Sequence, residues 1–207
     1  MALVMFDYDG VIVDSVDLFT SVFIMACREN GFDRLTSRDD LLALFDGNFY
    51  ETMRDSGLDN TRIDKILSTY ETKMEEHVDE VELFAGMGEV LEKVCQDNTV
   101  YIVTSNVSHL VARVLTRNGL TGFKDVLGAE KDKNKVRKIQ GVMRQHPHLP
   151  AFFVGDTKGD IIEGKEAGAC TIGAAWGWHG ALKLRECLPE YLVYSPGELA
   201  DLFSRQG

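Results

Sequence analysis

The spacing of apolar residues changes character partway along the chain. Leu3 to Phe6 form a short apolar run that stops before Gly10, and this pattern predicts a buried strand. From Asp17 to Asn30 apolar residues recur at three- and four-residue steps, which predicts a helix that stops at Gly31. Residues 16 to 80 contain no strand-like run, so we expect this whole stretch to be helical.

Within the helical stretch, Ser37 and Asp40 are spaced as in a capping box. Further helices are predicted over Phe49 to Ser56 and Asp59 to Val78. After Leu83 strands and helices alternate. The predicted strands are Thr99 to Ser105, Phe123 to Ala129, Ala151 to Asp156, Cys170 to Ala175 and Tyr191 to Ser195. The predicted helices are Val107 to Asn118, Asn134 to Gln145, Asp160 to Ala167 and Pro196 to Phe203.

Short apolar strands separated by helices predict an α/β fold whose mainly parallel sheet is covered on both faces. In such sheets ligands bind beyond the carboxyl ends of the strands. Polar groups follow three of the predicted strands immediately, and we expect them to form the functional site. These groups are Asp7 with Asp9, Thr104 to Asn106, and Asp156 to Asp160.

Composition narrows the class of protein. The 207 residues, of which 44% are hydrophobic, suit one globular domain or a core with a modest insert. A net charge of −11 disfavours binding to nucleic acid or to an anionic membrane, although a bound cation can still attract a small anion. Four dispersed cysteines, the short apolar start and the lack of a membrane-length apolar run lead us to expect a cytoplasmic protein without disulfides.

The paired aspartates suggest a metal site. Asp7 and Asp9 are alternate residues of an extended segment, so both carboxylates can face one side, where they repel each other unless a cation lies nearby. Magnesium prefers such oxygen ligands, and Asp156 can complete the set. The alternative is an Asp-Gly turn that ends a strand. Asp160 suits a helix cap, a residue that supports the metal ligands, or both at once.

Two further groups suggest an anion site. Thr104, Ser105 and Asn106 offer hydroxyls and free amides before a helix, although an ordinary helix cap would use the same residues. Lys131, Lys133 and Lys135 precede the next helix, and one of them can neutralise a bound phosphate. Lys135 is preferred because it lies directly before the helical run, whereas a solvated charge run is the alternative for the others.

Taken together, these motifs resemble those of the haloacid dehalogenase superfamily of phosphohydrolases. Phe6 to Ser15 is similar to the first motif, Ile102 to Asn106 to the second, Lys135 to the third and Gly155 to Asp160 to the fourth. The resemblance implies a Rossmann-like three-layer core over residues 1–15 and 82–207, with a helical cap over 16–81. The tail is similar to the phosphoglycolate-phosphatase-like branch. Tyr8 replaces the commoner Phe, and the third motif lacks a Lys-Pro pair.

The resemblance also implies residue roles. Asp7 would be the nucleophile and a magnesium ligand together with Asp156, with Asp160 in support. Asp9 would be the acid and base, and its backbone carbonyl would be a further ligand. The phosphate would be held by Thr104, Ser105, Asn106 and Lys135. The implied activity is magnesium-dependent hydrolysis of a small phosphomonoester, with phosphoglycolate the leading candidate, through an aspartyl-phosphate. The presence of Asp9 favours phosphoryl transfer over dehalogenation.

Two other functions stay open. A sugar-phosphate mutase similar to beta-phosphoglucomutase would share every core motif, and a non-catalytic binding or regulatory protein could use the same scaffold. In the cap, Asp46, Gly47 and Asn48 are candidates for substrate specificity by position, although they also suit a plain helix–helix turn. The expected partner is a small phosphorylated metabolite, without nucleic acid or membrane, for a monomer or homodimer.

Overall fold

Residues 1–204, the part of the chain that the computed structural model describes, contain eight strands, ten α-helices and one short 3-10 helix. The strands are β1 (Leu3–Phe6), β2 (Val13–Asp14), β3 (Glu82–Leu83), β4 (Thr99–Val103), β5 (Val126–Leu127), β6 (Ala151–Gly155), β7 (Cys170–Ala174) and β8 (Tyr191–Val193). Six of them form one parallel sheet in the order β5-β4-β1-β6-β7-β8, while β2 and β3 form a separate antiparallel pair. The predicted α/β fold class is confirmed.

The helices lie mostly where the apolar periodicity predicts them, within one or two residues. They are α1 (Val16–Glu29), α2 (Arg38–Ala43), α3 (Phe49–Asp55), α4 (Asn60–His77), α5 (Met87–Asp97), α6 (Ser108–Arg117), α7 (Lys135–Gln145), α8 (Lys158–Ala167), α9 (Gly180–Glu186) and α10 (Pro196–Ser204). Within residues 1–204 none of these helices combines the length and apolar character needed to cross a bilayer.

Strand β1 lies at the centre of the sheet and is buried on both faces. Its alternate residues serve different cores, because successive strand side chains point to opposite faces. Val4 and Phe6 belong to the larger cluster, whereas Leu3 and Met5 pack in a smaller cluster that includes residues of α7. The sheet is therefore the middle of three layers, as predicted.

The register of the sheet brings its functional ends together. Phe6 pairs with Ile102 of β4 on one side and with Val154 of β6 on the other. The Asp7 amide continues this ladder by donating to the Val154 carbonyl at 2.8 Å. The residues that follow β1, β4 and β6 consequently lie side by side at one edge.

The described residues from 16 to 81 contain helices and a short 3-10 turn but no strand. The capping box predicted for α2 is present, with the Ser37 hydroxyl accepting from the Asp40 amide at 3.2 Å. The β2–β3 pair brackets this helical segment at its two ends. The division into a core (1–15 and 82–207) and a cap (16–81) stays a prediction, and residues 205–207 lie outside the described part.

Two predicted elements differ from the structure. The strand expected over Phe123 to Ala129 is reduced to Val126–Leu127, because this edge strand pairs only with β4 and the chain turns away where the Ala129 amide donates to the Asn106 carbonyl. Helix α8 begins at Lys158, before the predicted start, since Thr157 caps it. Helices α5 and α9 and the β2–β3 pair were not predicted.

The loop between α2 and α3 docks on the first turn of α8. The Gly159 amide donates to the Phe45 carbonyl at 2.9 Å, and the Asn48 side chain donates to Glu163 at 2.7 Å. A Cβ atom placed on Gly159 would lie 2.3 Å from the Gly47 carbonyl oxygen, too close for any real contact. The absence of a side chain at this position therefore permits the docking.

Substitution of Gly159 by Ala should loosen this docking. We expect Gly159→Ala to lower the free energy of unfolding by about 1–3 kcal/mol, because the clash is with backbone atoms that cannot rotate away. Hydrogen exchange of the 45–50 amides should accelerate. Gly141→Ala in α7 is the control: its Cβ would meet only the Arg144 guanidinium at 3.8 Å, so stability should rise slightly. Equal behaviour of the two variants would contradict the docking argument.

Candidate active site

Three buried carboxylates meet at the carboxyl edge of the sheet. Asp7 follows β1, Asp156 follows β6 and Asp160 lies in the first turn of α8; each offers an oxygen within 4.8 Å of the others. Lys135, the first residue of α7, supplies the positive charge. Its Nζ lies 2.6 Å from Asp160 Oδ1 and 3.3 Å from Asp7 Oδ1. One ammonium group therefore faces a cluster of three carboxylates.

Two oxygens of this cluster lack hydrogen bonds. Asp7 Oδ1 and Asp156 Oδ1 are buried and accept no hydrogen bond from any described residue, whereas Asp156 Oδ2 accepts from the Trp178 amide at 2.6 Å. Burial and the Asp160 charge raise the pKa of Asp7 to about 8, and the same causes raise the pKa of Asp156. A divalent cation bound by these two carboxylates would relieve both effects. The donor set fits a hard, oxygen-preferring metal ion.

Asp160 is held by the protein itself. Its Oδ1 accepts from Lys135, and its Oδ2 accepts from the Thr157 hydroxyl at 2.7 Å and the Thr157 amide at 3.1 Å in a capping box. Although burial opposes ionisation, Lys135 and the Thr157 hydrogen bonds lower the pKa of Asp160. It is the third residue of the helix rather than its cap. This geometry suits the predicted supporting role, which stays a prediction.

Asp9 is turned away from the carboxylate cluster. Its Oδ1 accepts from the Ser15 hydroxyl at 2.7 Å and its Oδ2 accepts from the side-chain amide (Nδ2) of Asn106 at 2.9 Å. Burial raises the pKa of Asp9 in spite of these two hydrogen bonds. The two aspartates of the first motif therefore occupy different environments, so their side chains can perform different chemistry.

The segment after β4 is tightly folded. The Thr104 hydroxyl accepts from the Asn106 amide at 2.9 Å, and the Tyr50 hydroxyl of α3 donates to the Ser105 carbonyl at 2.9 Å. Asn106 uses its side chain to orient Asp9. The structure thus brings Thr104, Ser105 and Asn106 to the same edge as Asp7, and their phosphate-binding roles stay predictions.

A cavity of about 350 Å³ lies between the helical segment and these strand ends. Its lining includes Asp7, Asp9, Thr104, Ser105, Asn106 and Lys135 from the strand-end side. Aromatic side chains form much of the remaining wall, and they are Phe19, Phe23, Phe45, Phe49, Tyr70 and Trp178. The cavity has the size of a small-molecule site, with polar groups at the strand ends and an aromatic wall beside them.

Comparison with known proteins identifies the family. Residues 4–174 match the family model described as haloacid dehalogenase-like hydrolase. The chain belongs to this family. The hydrolase is 25% identical over 210 residues to Pyrophosphatase PpaX from Bacillus mycoides, with 98% of this chain and 96% of that protein covered. It is 23% identical over 203 residues to Phosphoglycolate phosphatase from Synechococcus elongatus, with 96% and 95% covered.

Solved structures share the fold. A predicted phosphatase from Clostridium acetobutylicum superimposes on the hydrolase with a TM-score of 0.84 at 19% identity, covering 99% of this chain and 98% of that one. A haloacid dehalogenase-like hydrolase from Streptococcus pneumoniae superimposes with a TM-score of 0.80 at 21% identity, covering 98% of both chains. The family resemblance inferred from the motifs is confirmed.

Of the three candidate lysines of the third motif, only Lys135 reaches the buried carboxylate cluster of the hydrolase. Lys131 pairs with Asp125 at 2.6 Å on the surface, and Lys133 pairs with Asp64 of α4 at the mouth of the cavity. Burial separates Lys135 from the other two, since only its side chain is enclosed by the core.

The cap residues predicted for specificity lie outside the cavity lining. Asp46 is 3.4 Å from Lys183 and 3.9 Å from His179, and the Asn48 side chain is bonded to Glu163. Gly47 abuts Gly159 in the docking contact. Their specificity role stays a prediction, while the flanking residues Phe45 and Phe49 line the cavity.

Lys138 is a buried residue of the site that the sequence motifs do not indicate. This buried lysine donates to the Thr104 carbonyl at 2.5 Å and to the Gly128 carbonyl at 3.2 Å, so it ties two strand ends together. Burial and the charge of Lys135 lower the pKa of Lys138 to about 7. The sequence does contain one indication that Lys138 is buried. It lies one turn after Lys135 and next to the apolar Ile139, on the inner face of an amphipathic helix.

Replacing Lys135 should destabilise the hydrolase far more than replacing Lys133. Without divalent cations, Lys135→Met leaves the buried carboxylates unneutralised and should lower the free energy of unfolding by about 3–5 kcal/mol at pH 8. The loss should shrink at pH 5, because carboxylates with raised pKa values take up protons in the folded state and stability is lost as pH rises. Denaturant unfolding at the two pH values measures both effects.

Lys133→Met is the control, since its side chain is 43% exposed and its ion pair with Asp64 lies at the surface. Its unfolding free energy should change by less than about 1 kcal/mol at either pH. A similar, pH-independent loss in both variants would argue against an electrostatic role for Lys135.

Proposed function

We propose that this hydrolase is a magnesium-dependent phosphatase that acts on a small phosphomonoester through a phosphorylated aspartate. The observation that carries the proposal is the different setting of Asp7 and Asp9 at one cavity. Asp7 lies among buried carboxylates beside Lys135, with an oxygen that accepts no hydrogen bond from the described residues, whereas Asp9 is oriented by Ser15 and Asn106. The names of the relatives, a pyrophosphatase and a phosphoglycolate phosphatase, support phosphate as the reacting group.

Asp7 and Asp156 would hold the magnesium ion with their carboxylate oxygens, and the Asp9 backbone carbonyl would be a third ligand. Bound there, the ion would offset the negative charge of the phosphate and of the attacking carboxylate. The net charge of the chain explains why a cation would be needed. A protein with a net charge of −11 repels an anionic substrate unless positive charge is concentrated at the site. Lys135 provides part of that charge permanently.

The chain's own groups then account for both chemical steps. Asp7 attacks phosphorus and forms an acyl phosphate while the phosphorus–oxygen bond to the alcohol breaks. Asp9, whose pKa burial raises, gives its proton to the departing oxygen. In the second step Asp9 takes a proton from water as the water oxygen attacks phosphorus. Inorganic phosphate leaves and Asp7 is restored.

Binding groups surround the attacked phosphorus. Lys135, the Thr104 hydroxyl and the Ser105 amide would hold phosphate oxygens in line with Asp7. The aromatic wall of the helical segment would keep bulk water away from the acyl phosphate. Neither the mutase nor the non-catalytic protein is favoured by a specific observation among the described residues.

The pure protein should release p-nitrophenol from p-nitrophenyl phosphate, and omission of magnesium with a chelator present should abolish the release. Asp7→Asn should lower kcat by at least about 10³-fold, because an amide cannot replace the nucleophile. Asp14→Asn is the matched control, since Asp14 is an exposed carboxylate on the neighbouring β2. Retained turnover in Asp7→Asn would mean that another residue forms the intermediate.

Asp9→Asn should separate the two steps. With p-nitrophenyl phosphate the leaving group departs without a proton, so the first step should continue while hydrolysis of the intermediate slows by about 10²–10⁴-fold. A burst of p-nitrophenol equal to the enzyme concentration should appear, with a phosphoryl group on Asp7 detected by mass spectrometry of acid-quenched protein. Wild-type steady-state turnover in Asp9→Asn would contradict the assigned role.

A further inference from the structure

The charge of the cavity narrows the substrate class. We propose that this hydrolase prefers phosphomonoesters whose alcohol part is uncharged and apolar, and that it discriminates against esters with a second anionic group. The inference rests on the proposed phosphatase function and concerns the part of the same cavity beyond the phosphate-binding end.

The deep wall of this part is aromatic. Phe19 lies with its ring centroid 5.0 Å from that of Trp178, and Phe45 stacks on Phe49 at 4.7 Å. Phe19 also contacts Tyr70 of α4 at 5.0 Å between ring centroids, so rings from different elements join into one surface. An apolar group of the substrate would be stabilised when it is buried against such a surface. A charged group would lose its hydration there without gaining a partner.

The mouth of this part is acidic. Asp64, Glu71 and Glu130 all line it, and the side chains of Asp64 and Glu71 are 61% and 39% exposed. A substrate must therefore pass carboxylates on its way in. A second anionic group on the substrate would be repelled there, while the phosphate itself would be drawn inward by the proposed magnesium ion together with Lys135.

Every lysine and histidine among the described residues of the lining already has an acidic partner. Lys133 is paired with Asp64, and His109 lies 3.2 Å from Glu75 and 3.8 Å from Glu71. Lys135 is engaged by the buried carboxylates. None of the lining residues within the described part of the chain is an arginine. A carboxylate of the substrate would thus have to displace an existing ion pair.

This chemistry differs from what the names of the relatives suggest. Phosphoglycolate carries a carboxylate and pyrophosphate carries a second phosphate, and each would need a free cation beyond the phosphate site. The sequence resemblance points toward phosphoglycolate, whereas the cavity of this chain points away from it. A phenyl or short alkyl group fits both the aromatic wall and the volume of about 350 Å³.

Matched esters test the proposal. We would measure kcat/KM with magnesium for phenyl phosphate against 4-carboxyphenyl phosphate, and for 2-hydroxyethyl phosphate against 2-phosphoglycolate. Within each pair the reacting group is the same and the main difference is the extra negative charge. The uncharged member should be favoured by at least about 10-fold in both pairs, which is the scale of one uncompensated charge interaction near a protein surface.

Variants show whether the cavity charges cause the preference. Asp64→Asn removes a carboxylate and releases Lys133, so the preference for phenyl phosphate over its carboxylated analogue should fall several-fold. Glu71→Gln should act in the same direction. Glu76→Gln is the control, because Glu76 is an exposed carboxylate on the same helix but outside the cavity lining. The preference ratio of this variant should equal that of the wild type.

The outcomes separate this inference from the proposed function. Equal or faster hydrolysis of the carboxylated esters by the wild type would overturn the inference and leave the phosphatase proposal standing. An unchanged ratio in both Asp64→Asn and Glu71→Gln would also overturn it, because the charges named here would not set the preference. No hydrolysis of any of the four esters would overturn the proposed function and this inference with it.

Discussion

The close approach of three buried carboxylates to a single ammonium group is the constraint on which the structure of the site depends. Like charges at this separation are tolerated only if the surrounding backbone fixes them and a cation offsets them. The parallel register of β1 and β6 fixes Asp7 and Asp156, and the capping box of α8 fixes Asp160. Helix α7 begins beside this cluster, so its first residue, Lys135, brings its ammonium group to 2.6 Å from Asp160 Oδ1.

Close backbone packing around the carboxylates follows from the same constraint. A Cβ atom on Gly155 would lie 2.2 Å from the Asp160 Cβ, and one on Gly10, whose φ is +76°, would lie 2.0 Å from Asp156 Oδ2. Both positions therefore exclude any side chain. The helical segment completes the enclosure from the opposite side, with its aromatic rings against the cavity and its polar contacts, such as Tyr50 to Ser105, at the edges.

Much of this arrangement could be predicted from the sequence, because the carboxyl ends of parallel strands lie along one edge of the sheet regardless of the conformation of the loops. The apolar runs locate Asp7, Thr104 and Asp156, and the family motifs add their expected roles. The partners of each side chain could not be predicted, since they depend on contacts between residues far apart in the chain. Lys138 and the ion pair of Lys133 with Asp64 are examples. The loop at Asp46 to Asn48 docks on α8, a contact that its turn-like sequence does not indicate.

An acidic protein that acts on an anion must concentrate its positive charge, and the way it does so determines what else it can bind. Here the described cations of the cavity are either committed to the buried carboxylates, as Lys135 is, or already paired at the mouth, as Lys133 is. With the proposed magnesium ion bound beside Lys135, attraction of an anion would be confined to one end of the cavity, where the phosphate would sit. The remaining wall of the cavity is aromatic, and the carboxylates at its mouth repel negative charge. The proposed selectivity for the alcohol part of the substrate would then arise from the same charge distribution that would form the phosphate site.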